Sequence, residues 1–290
     1  MLSMRRLSLV SILLAATHCL GQATTAQSSF RPESGTLILM GMSGNTIVLA
    51  SDGLKFDTAT GKPAPGDSKK IFPVGHFAAC FIAGDLVARW KGVQEEVDFT
   101  KVIQEWSKAH TNAQLLEAYD AIDSKFDKLL NEMHHKYGFP IDPHGFVVQL
   151  GCAGLFMGAP KAYVSNYIAA SRDHIERDPA SWTIRPGSFN PLAVNAVCDE
   201  IVRKRATNQF ATYKTNPTIV RYRKTMASKS GQSISVNDLL EMSRVCLDAT
   251  ESDEGRRFEP RASTVGPPNR YAEIDDRHGF RWIPEPPISH

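Results

Sequence analysis

The sequence predicts an α+β fold, and three observations predict it. Apolar runs of strand length lie near the beginning, the middle and the end of the mature chain. Two blocks with helical apolar spacing separate these runs. No internal repeat and no low-complexity linker divides the 290 residues, a length that allows one large domain or two small ones. The order favours a single domain in which sheets pack between helical layers.

The strands and helices of the first half follow from these patterns. TLILMGM and TIVLAS, separated by Ser43–Asn45, predict a hairpin, and a polar loop rich in Gly and Pro follows. A second hairpin is expected over residues 70–83, around Gly75 and His76. Residues 86–137 are expected to be rich in helix, as two antiparallel helices.

The second half repeats the order in a weaker form. Residues 145–155 and 162–170 predict strands, residues 191–205 and 236–250 predict helices, and strand-like pieces follow from residue 263 to a proline-rich end.

Composition and charge exclude several classes of protein. The chain is 42% hydrophobic and 22% charged, which is typical of a folded globular protein rather than a disordered one. Beyond residue 35 the basic and acidic groups balance, so nothing indicates a nucleic-acid partner. No apolar run reaches 18 residues, and a polytopic membrane protein is excluded.

The chain begins with the pattern of a secretory signal peptide. Two arginines precede a short apolar run, Leu7–Ala16, and small and polar residues follow, so that cleavage fits after Ala23 or Ala26. We therefore expect a signal peptide over residues 1–26 and a periplasmic or secreted protein. A buried N-terminal helix and a lipid anchor on Cys19 are the alternatives.

Cysteine and histidine do not predict a metal site or a cofactor. The four later cysteines lie in apolar stretches without zinc-site spacing, and one or two disulfides in an oxidising compartment would fit them, in a pairing that the sequence leaves open. His134 and His135 are adjacent, so on a helix they point to different faces.

A set of spaced residues near the start of the mature chain carries the chemistry. Gly35 precedes Thr36, and Asp52 follows 16 residues after Thr36. Lys70 follows 18 residues after Asp52, and Gly84 follows 14 after Lys70. Each residue alone has an ordinary structural explanation, but the set falls on an order of strands and turns that suits a buried site.

This stretch, GTLILMGMSGNTIVLASDG, DSKKIFPVG and CFIAGD, resembles the start of a proteasome β-subunit, an N-terminal nucleophile (Ntn) hydrolase. The first and last intervals match those of the family, and the middle one is two residues longer, within the polar loop 53–67 where insertions are tolerated. Lys70, rather than Lys69, keeps the family's distance to Gly84. The resemblance covers most of the mature chain and implies a four-layer αββα sandwich.

The resemblance also implies a reaction. Thr36 would attack the Gly35 carbonyl, remove the propeptide 27–35, and leave residues 36–290 as the mature domain. The Thr36 hydroxyl would then be the nucleophile and its own α-amino group the base, since that amine titrates near neutral pH. Asp52 and Lys70 would be its charge partners, and the N–H of Gly84 would stabilise the oxyanion.

Further roles follow from the resemblance. It assigns Ser188, before the helix expected at residue 191, as a serine that supports the nucleophile. It also assigns Asp253 to the outer support of the site, where the Asp of the family's Asp-x-x-Ser-Gly element is present and its Ser is not. The residues expected to line the substrate pocket are Ser68, Phe72, Ile82 and Leu86. Most of them are apolar, so we expect a hydrophobic residue before the cleaved bond.

Three functions are consistent with these residues. The first is a threonine-type peptidase or amidohydrolase acting on peptides, and the second is a catalytically silent relative that serves as a scaffold or binding protein. The third is an Ntn acylase acting on a small amide, because a fold does not determine its substrate. The resemblance implies a homo-oligomeric ring, and an exported protein is expected to work without an ATPase partner.

Overall fold

Strands and helices both occur throughout the structure, so the α+β expectation is confirmed. The computed structural model describes residues 36–57, 62–84, 86–89, 94, 96–138, 147–171, 174–203, 209–228 and 234–285. All of these lie within one compact unit that begins at Arg31. The expected signal peptide, the propeptide with Gly35, and the end of the proline-rich tail lie outside the described residues.

In this part of the chain there are fourteen strands and seven α-helices. The strands are β1 Leu37–Ser43, β2 Thr46–Ser51, β3 Leu54–Asp57, β4 Lys62–Asp67, β5 Ile71–Pro73, β6 Ala78–Gly84, β7 Val87–Arg89, β8 Glu96–Asp98, β9 Val147–Phe156, β10 Ala159–Ser171, β11 His174–Thr183, β12 Phe189–Ala193, β13 Arg270–Asp275 and β14 Gly279–Ile283. The helices are α1 Phe99–Ala109, α2 Leu115–Tyr137, α3 Ala196–Val202, α4 Ala211–Lys214, α5 Pro217–Ser228, α6 Val236–Glu251 and α7 Asp253–Phe258, and a 3-10 helix covers Pro260–Thr264.

Two five-stranded antiparallel sheets form the framework. The first has the strand order β12-β1-β2-β13-β14, and the second has the order β11-β10-β9-β6-β5. The pairs β3-β4 and β7-β8 are separate small hairpins. Strand β1 is apolar at almost every position because both of its faces are buried, as in a sheet covered on two sides.

Three groups of buried apolar side chains hold these elements together. In the first group, α3, α5 and α6 pack on the face of β1 that carries Leu37 and Leu39. In the second, α1 and α2 pack on one face of β6 and β9. The third contains residues of both sheets, such as Ile38 on β1 and Phe81 on β6. Burial of this apolar surface is the main favourable contribution to folding.

The predicted elements agree with the structure in many places and differ in several, because β3 and β4 lie within the expected polar loop and β11, α4 and α5 were not predicted. Both early hairpins are present as β1-β2 and β5-β6, but the small hairpin β7-β8 precedes the two expected helices. The helix expected over residues 191–205 is wrong at its start, because residues 189–193 form β12 and α3 begins only at Ala196. Pro191 is accommodated because β12 is an edge strand, where a missing N–H leaves no partner unsatisfied.

The four later cysteines form two disulfides. Cys80 on β6 and Cys152 on β9 are directly opposite each other in the second sheet. Cys198 joins α3 to Cys246 on α6. All four are fully buried, so each bond lies inside an apolar group. Among the described residues, the helices are too short or too polar to cross a membrane.

Candidate active site

Thr36 lies immediately before β1 and is only 1% exposed. Its carbonyl accepts a hydrogen bond from the backbone N–H of Val194, at 3.1 Å. Leu37 pairs with Ala193 on β12, so the start of β1 is held from one side by the segment that joins β12 to α3. Ala193 has φ +62, a left-handed conformation that costs energy in a residue other than glycine.

The register of the β1-β2 hairpin brings Asp52 opposite the residue after Thr36. Ile38 pairs with Ser51, so Asp52 faces Leu37. The N–H of Leu37 donates to Asp52 Oδ1 at 2.9 Å, and the N–H of Asp52 donates to the Leu37 carbonyl at 3.3 Å. The Asp52 carboxylate therefore fixes the backbone next to Thr36.

Lys70, which directly precedes β5 of the second sheet, reaches the same carboxylate. Its Nζ donates to Asp52 Oδ2 at 2.6 Å, and the two side chains are 1% and 0% exposed. Lys69 is exposed, so Lys70, which keeps the family's distance to Gly84, is also the lysine that reaches Asp52. A buried ion pair has a large desolvation cost, which is offset only when geometry and further hydrogen bonds are good.

Further hydrogen bonds to Asp52 come from a loop that the sequence did not identify. Burial raises the pKa of the Asp52 carboxyl, and this is opposed by Lys70 and by the backbone N–H groups of Leu37 and Gly266. The Gly266 carbonyl in turn accepts from the N–H groups of Gly53 and Leu54, at 3.0 and 2.8 Å. The carboxylate therefore has three partners drawn from three parts of the chain.

Glycine at position 53 allows this loop to approach. A Cβ placed on Gly53 would lie 2.0 Å from the carbonyl oxygen of Pro268. The Gly53 carbonyl also accepts from the N–H of Ser68, at 2.8 Å. The Asp-Gly pair in the sequence indicates only a turn, so it did not reveal this contact.

Gly84 lies at the end of β6, close to Lys70. The N–H of Ile82 donates to the Lys70 carbonyl at 3.0 Å, and Gly84 is two residues further along the same strand. Its φ of +83 is a conformation that favours glycine. Strand β6 also packs against β1 and β12, on the side where the two sheets meet.

Ser188 is not brought to Thr36, and this sequence-based prediction is corrected. The N–H of Met42 donates to the Ser188 carbonyl, so Ser188 lies beside the far end of β1. At roughly 3.3 Å per residue, the six residues from Thr36 to Met42 place it about 20 Å away. The residue that follows Val194 at the Thr36 end is Asn195, which precedes α3.

Asp253 lies in the first turn of α7 and is exposed. It thus differs from Asp52 and Lys70, which are both buried. A carboxylate in this position interacts favourably with the N-terminal end of the helix. The contacts to Asp52 that an outer support would make come instead from Gly266.

The residues expected to line the pocket are mostly covered. Phe72 and Ile82 are 4% and 0% exposed and belong to the apolar group under α1 and α2, and Leu86 packs against its border. Ser68 is also buried, at 8% exposure. Their assignment to a substrate pocket stays a prediction.

The described residues hold no cluster of three or more His, Cys, Asp or Glu side chains that could bind a metal ion. Comparison with protein-family models and with curated proteins finds no match.

Proposed function

We propose that the protein is an N-terminal threonine hydrolase that cleaves itself between Gly35 and Thr36 and then hydrolyses amide bonds through Thr36. One observation carries the proposal: the buried Asp52 carboxylate joins the backbone next to Thr36 to the ammonium group of Lys70. This pairing is costly to bury, and a role in catalysis gives a reason for it.

The proposed self-cleavage uses atoms that lie on either side of one peptide bond. The Thr36 hydroxyl attacks the Gly35 carbonyl carbon, the bond from that carbon to the Thr36 nitrogen breaks, and the nitrogen takes the hydroxyl proton. Water then hydrolyses the resulting ester, which releases the propeptide and leaves Thr36 with a free hydroxyl and a free amine.

The freed amine is then the general base of the proposed reaction. It takes the proton of the Thr36 hydroxyl as that oxygen attacks the substrate carbonyl, and it gives the proton to the leaving amine. Water then hydrolyses the acyl ester on Thr36, which releases the acid product and restores the hydroxyl. Lys70 Nζ is separated from the Leu37 nitrogen by two hydrogen bonds and one carboxylate. The role proposed for Lys70 is to lower the pKa of the amine by its positive charge, against the opposite effect of the Asp52 carboxylate, so that more of the amine is unprotonated at neutral pH.

Two features support the finer parts of the proposal. The three apolar groups alternate with two sheets and two sets of helices, which supports the four-layer αββα arrangement. The two buried disulfides support export, because disulfides persist in oxidising compartments. The ring assembly implied by the resemblance rests on the sequence alone, and light scattering of the purified mature protein would test it.

The experiment that tests the proposal is the intact mass and N-terminal sequence of the exported protein. The wild type is expected to begin at Thr36, and the Thr36→Ala variant near residue 24 or 27, where signal peptidase leaves it. Thr46→Ala is the matched control: this threonine begins β2 and lies away from Asp52, so the variant is expected to begin at Thr36 like the wild type.

If the wild type and Thr36→Ala both begin near residue 24 or 27, the hydrolase proposal is wrong and a silent scaffold explains the fold better. If Thr36 is released, a panel of peptide amides with different residues before the cleaved bond follows. Hydrolysis of small amides in place of peptides would favour the acylase.

A further inference from the structure

A group of buried polar atoms lies at the end of α6 and the start of β13, where Arg270 pairs with Ser51, the residue before Asp52. Glu251, the last residue of α6, accepts a hydrogen bond from the side chain of Asn269, and the Asp52 carboxylate interacts with it electrostatically. Oε1 of Glu251, Oδ1 of Asn269 and the hydroxyl of Tyr271 are all buried without a hydrogen-bond partner. Unpartnered buried polar atoms are rare in folded proteins and call for an explanation.

Proton counting gives the explanation. Glu251 Oε1, when ionised, and Asn269 Oδ1 can only accept, while the Tyr271 hydroxyl can donate one proton. A protonated Glu251 supplies a second donor, so that there are enough donors for each of the three atoms to take part in a hydrogen bond. Burial together with the nearby Asp248 and Asp52 carboxylates raises the pKa of Glu251 to about 7, in agreement with this count.

The same group is tied to the loop that holds Asp52. Asn269 is three residues after Gly266, whose N–H donates to Asp52 and whose carbonyl binds residues 53 and 54. The Glu251–Asn269 hydrogen bond therefore connects the end of α6 to the backbone that supports the candidate site.

We infer that Glu251 is a positioning residue of this site: its carboxyl anchors the Gly266–Asn269 loop against Asp52, and its gain or loss of a proton changes the charge beside the Asp52–Lys70 pair. The inference rests on the proposed function for its effect on Thr36, but the coupling of Glu251 to Asp52 is independent of that function. The charged and titratable groups that act on Glu251 directly are Asp248 on α6, Arg256 on α7, Tyr271 on β13 and Asp52 at the end of β2. Arg244 on α6 and Glu285 after β14 act in turn on Tyr271 and Asp248.

The sign of the effect follows from charge. Below neutral pH Glu251 is neutral, and above it a second negative charge stands beside Asp52. That charge stabilises a protonated Thr36 amine, so it raises the pKa of the amine. Glu251→Gln, which is neutral at all pH values and still accepts from Asn269, is expected to move the acidic limb of the pH–rate profile to lower pH, by roughly half a unit to one unit.

The test measures coupling without needing activity. The carboxyl ¹³C resonances of Asp52 and Glu251 are followed from pH 5 to pH 9 in the wild type, Glu251→Gln and the control Glu254→Gln. Glu254 is three residues away and accepts from the N–H of Phe210, a bond that glutamine retains. The Asp52 resonance is expected to show an inflection near neutral pH in the wild type and the control, and none in Glu251→Gln.

A second variant keeps the test decisive if Glu251→Gln does not fold. Asn269→Ala removes the hydrogen bond that lowers the pKa of Glu251, so the inflection is expected to move to higher pH. An Asp52 resonance without an inflection in the wild type, or with the same one in Glu251→Gln, overturns the inference. An unchanged pH–rate profile in an active Glu251→Gln enzyme also overturns it. Loss of Thr36 processing in the wild type contradicts the proposed function instead, and the resonances still decide the coupling.

Discussion

Replacing Lys70 by methionine tests the electrostatics of the site through stability. Asp52 and Lys70 are 0% and 1% exposed and their charged atoms are 2.6 Å apart. Removing one member of such a pair leaves the other charge buried without compensation, which costs roughly 3–5 kcal/mol. For a domain of this size each kcal/mol lowers Tm by about 2–4 °C, so we expect a fall in Tm of about 6–20 °C.

The loss should depend on pH in a defined direction. Without Lys70, burial keeps the pKa of Asp52 well above that of an unfolded aspartate, near 3.9. The folded state then holds the proton that the unfolded state releases. Burial also raises the pKa of Asp52 in the wild type, so the stabilities of the two proteins diverge only above the pH at which wild-type Asp52 ionises. From there the stability deficit of Lys70→Met relative to the wild type grows by about 1.4 kcal/mol per pH unit until the folded pKa of the variant is reached.

Urea denaturation at pH 5 and pH 8, with both disulfides intact, measures this difference. The double variant Asp52→Asn/Lys70→Met removes both charges and is expected to be more stable at pH 8 than Lys70→Met alone. Lys128→Met is the control, because Lys128 pairs with Glu132 across 3.7 Å on an exposed face and should change stability by about half a kcal/mol or less. A loss in Lys70→Met below about 1 kcal/mol, equal at both pH values, would refute the reasoning.

Two further predictions concern the supports of the site. Gly53→Ala is expected to destabilise the protein by several kcal/mol, on the order of an overpacked core, because its Cβ would meet the Pro268 carbonyl oxygen at 2.0 Å. Gly266→Ala, whose Cβ has ordinary contacts from 3.4 Å, should cost far less. Thermal unfolding compares the two variants, and equal losses of stability would contradict the close approach at Gly53. Replacing Cys198 and Cys246 together by alanine should lower stability by about 4 kcal/mol under oxidising conditions, since the bond closes a loop with a sequence separation of 48, and a variant as stable as the oxidised wild type in urea would show that this disulfide does not form.

The central part of the site was accessible from sequence because it depends on short-range register. A hairpin with a tight turn at Ser43–Asn45 brings Asp52 opposite Leu37 whatever else the chain does. The choice of Lys70 over Lys69 came from the distance to Gly84 in the family that the sequence resembles, and the structure buries Lys70 and exposes Lys69. Local spacing was informative wherever the partners were neighbouring strands.

The prediction for Ser188 failed because an apolar segment with a proline suits either a helix or an edge strand. Residues 191–193 continue β12, and this shifts Ser188 to the opposite end of β1 from Thr36. Such a segment becomes a strand when the sheet has an open edge that it can pair with, which here is the side of β1 occupied by β12. The local sequence pattern does not show whether such an edge is present.

Periodicity over short stretches was enough to indicate an α+β chain, and the resemblance to a known family pointed to the candidate set Thr36, Asp52 and Lys70. Gly266 and Glu251 entered the site only through the folded structure, since they lie about 200 residues from Asp52 in sequence. Contacts over such a separation form because the two sheets and α6 bury their apolar faces together. Burial is also what raises the pKa of Asp52 and Glu251, and it is a property of the packed molecule rather than of any segment.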